Sequence, residues 1–259
     1  MVRISNKLMV AFGLRAERSF KEEMVEHLFG FAPDHAKSLG RKALDGIVEL
    51  SIQRARHYGF TERDSVRFYI ELMFHFGSDF DTDPQYPWAV RILKRPWIAE
   101  ETQVRRAAEL FYFCNRCLDD IAGPGHQDAL AAMRKALSLG LVFVDLGGDT
   151  GGQIHRHLRG LAPVKCEVVG YEGLDLLIQH ALSQANAQGG RTAADCALIA
   201  VLMFGLGHGC LTDPQFPWVR LTFESSASRL NGDAFQSLRR RSLIYLQHSL
   251  DNMVRRHVN

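Results

Sequence analysis

The chain has no long apolar run. No segment approaches the roughly 20 consecutive apolar residues that a membrane-spanning helix needs, so no membrane partner is expected. The N-terminal stretch MVRISNKLMVAFGLRAERSF breaks its apolar run at Gly13 and then turns charged, unlike a signal peptide. Charge of one sign is also missing. The 31 basic residues nearly balance the 29 acidic ones, leaving +2. A nucleic-acid binder would concentrate basic charge on one face, so LRRRS at 238–242 and the C-terminal VRRHVN read as solvated helix faces. Cysteine is sparse. Five thiols, an odd count spread over 259 residues, suit reduced side chains in the cytoplasm better than a disulfide framework.

Catalytic signatures are absent too. HExxH, GxSxG and DDxxD do not occur, and no spacing matches a P-loop or a dinucleotide fingerprint. FVDLGGDTGG at 143–152 has the glycines of a phosphate loop. A nucleotide fold of that kind needs many strands, and LVFVDL at 141–146 is the main strand candidate here. The stretch therefore reads as a loop before QIHRHL. Cys114 and Cys117 form a single CxxC inside a helical stripe, without the second pair or histidines of a zinc site. These readings lead to the expectation of a non-enzyme with no cofactor and no metal.

What the chain does have is 46% hydrophobic residues, enough for a large core, and a repeated phrase. FDTDPQYPW at 80–88 returns as CLTDPQFPW at 210–218. Shifting the sequence by 130 positions aligns residues 27–88 with 157–218 without a gap, and 20 of the 62 pairs are identical. Ten of these fall in the last 17 pairs, from Leu72 and Leu202 onward. Internal self-similarity on this scale marks a tandem duplication.

Between the repeated phrases the apolar spacing is helical. Leu44, Ile47, Val48, Ile52 and Ala55 form one stripe, and Gly59 stands where a C-terminal cap belongs. Thr61 and Asp64 look like a capping pair for the next helix, which Gly77 ends. The second copy repeats this plan with a helix near 171–187, Gly189, a start at Thr192 and a stop at Gly207. Further helical stripes cover 99–121, 126–139 and 231–256. The expected fold is all-α, with about ten helices in two repeats, 1–124 and 125–259, punctuated by GPGH at 123–126.

The repeated phrase itself invites a chemical reading. Asp79, Asp81 and Asp83 begin like a calcium loop, but the sixth and twelfth positions hold Pro84 and Val90 rather than Gly and Glu. In the second copy only Asp213 remains, because Gly209 and Leu211 replace the other two acids. The shared residues have structural reasons instead. Asp83 and Asp213 are expected as N-caps, Pro84 and Pro214 in the first turn, and Trp88 and Trp218 as apolar anchors. Such a rigid corner can also dock a partner. The candidate partner-binding residues are therefore Asp79, Asp81, Asp83, Tyr86, Trp88, Asp213, Phe216 and Trp218.

The frame LMFHFGSDFDTDPQYPWA, with its weaker echo at 174–218, resembles helical bacterial proteins encoded beside type VI secretion effectors and other polymorphic toxins. The resemblance implies an accessory role: an immunity protein that neutralises a cognate effector, or an adaptor that loads one. It implies a protein partner and supplies no catalytic residues. Two other readings stay open. One is an enzyme or ligand binder with a site between the repeats, using Asp79, Asp81, Asp119, Asp120 and histidines. The other is a scaffolding homo-oligomer.

Overall fold

A computed structural model describes residues 6–121, 125–139, 149–227 and 234–258. These residues form twelve helices and, among themselves, no strand. The first repeat contains α1 (Asn6–Phe31), α2 (Pro33–Leu39), α3 (Arg41–His57), α4 (Arg63–Phe76), α5 (Pro87–Lys94) and α6 (Gln103–Ile121). Then come α7 (Gly125–Ser138), α8 (Thr150–Leu161), α9 (Pro163–Ala187), α10 (Ala193–Leu206), α11 (Pro217–Ala227) and α12 (Ala234–Val258). The strand candidate at 141–146 and most of the glycine loop lie outside the described residues. Asp149, at that loop's end, caps α8 by accepting from the Gly152 N–H at 2.9 Å.

Glycine conformations match at the 130-residue offset. Among the described residues, all six glycines with positive φ fall into three pairs 130 residues apart: Gly40 and Gly170 (76° and 77°), Gly59 and Gly189 (both 81°), and Gly77 and Gly207 (94° and 97°). The first pair shows why α9 matches two helices of the first repeat. Gly170 interrupts α9 at the position where Gly40 separates α2 from α3. Buried apolar side chains form two clusters, one within residues 20–117 and the other within 133–246.

Each repeat packs its own stripe. Leu44, Ile47, Val48, Ile52 and Ala55 are all buried along α3, as their spacing predicts. The central helices of the two repeats differ. α4 is amphipathic, whereas α10 is buried continuously from Cys196 to Phe204. A helix apolar on every side needs neighbours on every side. α10 packs against α8, α9 and α12, and Met133 of α7 reaches Gly205. α7 has no counterpart in the first repeat.

Three helix starts differ from the sequence reading. α5 begins at Pro87, with Tyr86 at its N-cap position, and α11 begins at the equivalent Pro217, so neither Asp83 nor Asp213 caps the helix that follows it. α4 has Glu62 at its N-cap and no side-chain cap bond from Thr61. Instead Gln103 of α6 reaches over, accepting from the Thr61 and Glu62 N–H groups at 2.6 and 2.9 Å. The second repeat uses local chemistry: Thr192 and Asp195 form a reciprocal capping box on α10.

Candidate functional site

The two repeated phrases meet face to face, and each makes its key bonds to the other. Asp213 accepts from the N–H of Ser78 at 2.7 Å and from its hydroxyl at 2.6 Å. Asp83 accepts from the N–H of His208 at 2.7 Å. Ser78 and His208 are equivalent positions, as are the carbonyls that the glutamines seek. Gln85 donates to Met203 O at 3.1 Å, and Gln215 donates to Met73 O at 2.7 Å. Each aspartate also holds its own turn, accepting from the N–H of Gln85 at 2.9 Å or of Gln215 at 2.8 Å. The result is a clasp with approximate two-fold symmetry, isologous like the interface of a symmetric dimer.

Glycine is required on the axis. A Cβ on Gly77 would stand 2.8 Å from Leu206 O, and one on Gly207 would stand 2.9 Å from Phe76 O. The same closeness accounts for the second copy's missing acid. A Cβ on Gly209 would stand 1.9 Å from Oδ2 of Asp79. Positions 79 and 209 face each other across the axis, and only one side chain fits.

That side chain belongs to a charged network. Arg54 donates to Asp79 at 2.5 Å and to the Ser78 carbonyl, and lies 3.6 Å from Asp81. Tyr69 donates its phenol proton to Asp81 at 3.1 Å. Burial, then the Asp81 charge, pushes the Tyr69 phenol far above its ordinary range. Across the axis, burial alone would lower the His208 pKa, but the hydrogen bond and charge of Asp83 outweigh it and raise the value. Burial also raises the Asp213 carboxyl, against the opposing pull of its Ser78 and Gln215 bonds.

The structure thus turns most of the candidate partner-binding residues inward. Asp81, Asp83, Tyr86, Asp213 and Phe216 are buried. Asp79, Trp88 and Trp218 are half-buried. The acidic triplet is not an exposed patch, because Arg54 neutralises Asp79 and Asp81 while Asp83 is occupied by the clasp. Among the described residues, no group of histidine, cysteine or carboxylate side chains could hold a metal ion. The side chains of Asp119 and Asp120 lie outside the described set. Sequence reasoning missed Arg54, Ser78 and His208, although the 130-residue offset already marks Ser78 and His208 as an unlike pair beside an identical phrase.

Beside the clasp lies a cleft of about 830 Å³. Three of the sequence candidates, Tyr86, Phe216 and Trp218, line it together with Phe74 and Tyr245. Tyr245 stacks on Trp218 with ring centroids 5.6 Å apart. α12 contributes Arg241, Ile244 and His248 to one wall; α2 and α4 contribute His35 and His75 to the other. Ile244 is 53% exposed, an apolar side chain presented to solvent. Trp218 Nε1 is buried and has no hydrogen-bond partner among the described residues.

The cleft exists because the approximate symmetry fails there. α6 of the first repeat packs against α9 of the second. The equivalent packing of α12 on α2 and α3 is all but missing. A gap remains between the walls, bordered by Leu130, Met133 and Leu137 of the extra helix α7. No helix among the described residues is long and apolar enough to cross a membrane. Compared with family models, curated proteins and solved structures, the chain matches none.

Proposed function

We propose that this chain is a non-enzymatic, protein-binding accessory of a secreted bacterial toxin, an immunity protein that holds its cognate effector at the cleft between the repeats. The observation that carries the reading is the cleft itself: an open, aromatic-floored groove where the repeats fail to close on each other. Large aromatic side chains in a desolvated pocket dominate many protein interfaces. Tyr86, Phe216 and Trp218 supply them here. The likeness of the repeated phrase to proteins encoded near toxin effectors supplies the kind of partner.

The test is affinity capture of the tagged protein from its native cells, with mass-spectrometric identification of the captured chain. The comparator is Ile244→Asp, which places a carboxylate at the cleft mouth without touching the clasp. The expected result is one secreted effector, captured by the native protein and lost with Ile244→Asp, whose toxicity is relieved by coproduction of the native protein only. Capture that ignores the substitution, or no capture, contradicts the reading. A small-ligand reading has one observation in its favour: about 830 Å³ lies within the usual range of small-molecule sites.

A further inference from the structure

The cleft walls are helices at helical spacing. Arg241, Tyr245, His248 and Asn252 recur every three or four residues along α12 and all face the cleft. Leu130, Met133 and Leu137 do the same along α7. Among the described residues there is no sheet edge onto which a partner strand could add. A groove between helices instead takes a helix, which lays an apolar stripe along its floor.

Charge narrows the choice further. Arg241 is a permanent cation at the mouth. Its one hydrogen bond among the described residues goes to the Trp218 carbonyl at 3.3 Å, and it makes no ion pair there. His248 lies on the same wall, and His35 and His75 stand opposite. Burial lowers the pKa of both His35 and His75, so they meet a partner as neutral imidazoles able to donate an N–H. The one carboxylate among the lining residues is Asp34. The mouth therefore offers hydrogen-bond donors and one guanidinium that has no ion-pair partner among the described residues, and the floor offers aromatic surface.

We infer that the cleft receives an acidic amphipathic helix of a protein partner, its apolar stripe on Tyr86, Phe216 and Trp218 and its carboxylates toward Arg241 and the rim histidines. The inference rests on the protein-binding reading above and adds the chemistry of the segment bound. Its fit has a structural precedent within the molecule. On the other side of the clasp the corresponding contact is made by α6 against α9. Here a helix from outside supplies the packing that α12 and α2 leave open.

The test uses fluorescein-labelled helical peptides of about 16 residues, long enough to hold some helix alone. One carries leucines at i, i+3, i+4 and i+7 with glutamates beside them. The other replaces every glutamate with lysine. Fluorescence anisotropy with the full chain should give at least tenfold tighter binding of the glutamate peptide, with a preference that shrinks as salt is added. Arg241→Glu combined with His248→Glu should reverse the preference. Ile244→Asp should remove binding of both peptides, and thermal melts of each variant verify folding. Equal affinity for the two peptides, or none for either, overturns the inference. So does palmitate displacing the glutamate peptide, which would assign the cleft to a small amphiphile. Sedimentation that finds two copies closed over the cleft also overturns it. An effector captured through Ile244 while the glutamate peptide stays free removes the helix and leaves protein binding standing. Peptide binding without any captured effector removes the toxin partner and leaves the acidic-helix site standing.

Discussion

The two corners carry almost the same seven letters, yet one is wrapped in charge and the other in uncharged residues. Around the first stand Arg54, Tyr58, Tyr69, Asp79 and Asp81. At the positions 130 residues later are Gln184, Gln188, Ile199, Gly209 and Leu211. The whole network has changed together. That is the pattern expected when a buried charge is tolerable only with its partner: removing one member strands the other, whereas removing all of them leaves an apolar core. The trigger is visible at the axis, where Asp79 occupies the space that a side chain at 209 would need. Two copies of one sequence cannot both fill a point on their own symmetry axis.

The comparison can be broken most severely at the aspartates. Asp83→Ala leaves the His208 and Gln85 N–H groups without their buried acceptor. Charge-assisted hydrogen bonds each contribute about 1.5–3 kcal/mol, so chemical denaturation should report a loss of about 3 kcal/mol or more. Asp213→Asn should cost clearly less than Asp83→Asn, because burial already disfavours the Asp213 charge. Equal losses would mean that the two halves of the clasp are electrostatically alike. Next in size come Gly77→Ala and Gly207→Ala. Each puts a Cβ at positive φ against a backbone carbonyl of the other repeat, and each should cost about 2 kcal/mol or more. The caps give a smaller contrast. Thr192→Ala should destabilise by about 1 kcal/mol. Thr61→Ala should cost less, since Gln103 still accepts from both N–H groups there; Gln103→Ala is the substitution that should match Thr192→Ala.

The smallest effect concerns pH. His208 faces Asp83, Asp79, Asp81 and His180, and its folded pKa lies above the ordinary histidine value of 6.5. A raised value means that the folded state binds the proton more tightly. The stabilisation is complete below about pH 6.5 and disappears as pH rises through the folded value. The stability difference between the native protein and His208→Gln should therefore shrink as pH rises above about 6.5. A difference that grows over that range would show that Asp83 does not hold the imidazolium.

Much of the fold was legible because its signals are local. Leu44 to Ala55 specify a stripe, and Gly59, Gly77, Gly189 and Gly207 punctuate the helices where the spacing says they should. The roles of the corner residues were not legible for the opposite reason. Asp83 looks like a cap for the proline beside it, yet its second oxygen serves a residue 125 positions away. Gln103 takes over a cap that Thr61 advertises, from 42 positions along the chain. Nor does any pattern in the sequence announce the cleft, which arises from a contact that one pair of helices makes and its counterpart does not.

The reciprocal wiring of the clasp also bears on how the chain is made. Its bonds join residues 118 to 142 positions apart, so the first corner emerges from the ribosome long before its partner exists. Contacts of such range form late, after the local helices. In that interval Ser78, Asp83 and Gln85 offer a surface that any second corner satisfies equally well, including one on a neighbouring nascent chain. Two molecules that exchange halves in this way make every bond the single molecule makes. A swapped dimer, which must open the clasp to return to the monomer, is the misassembly that this architecture permits.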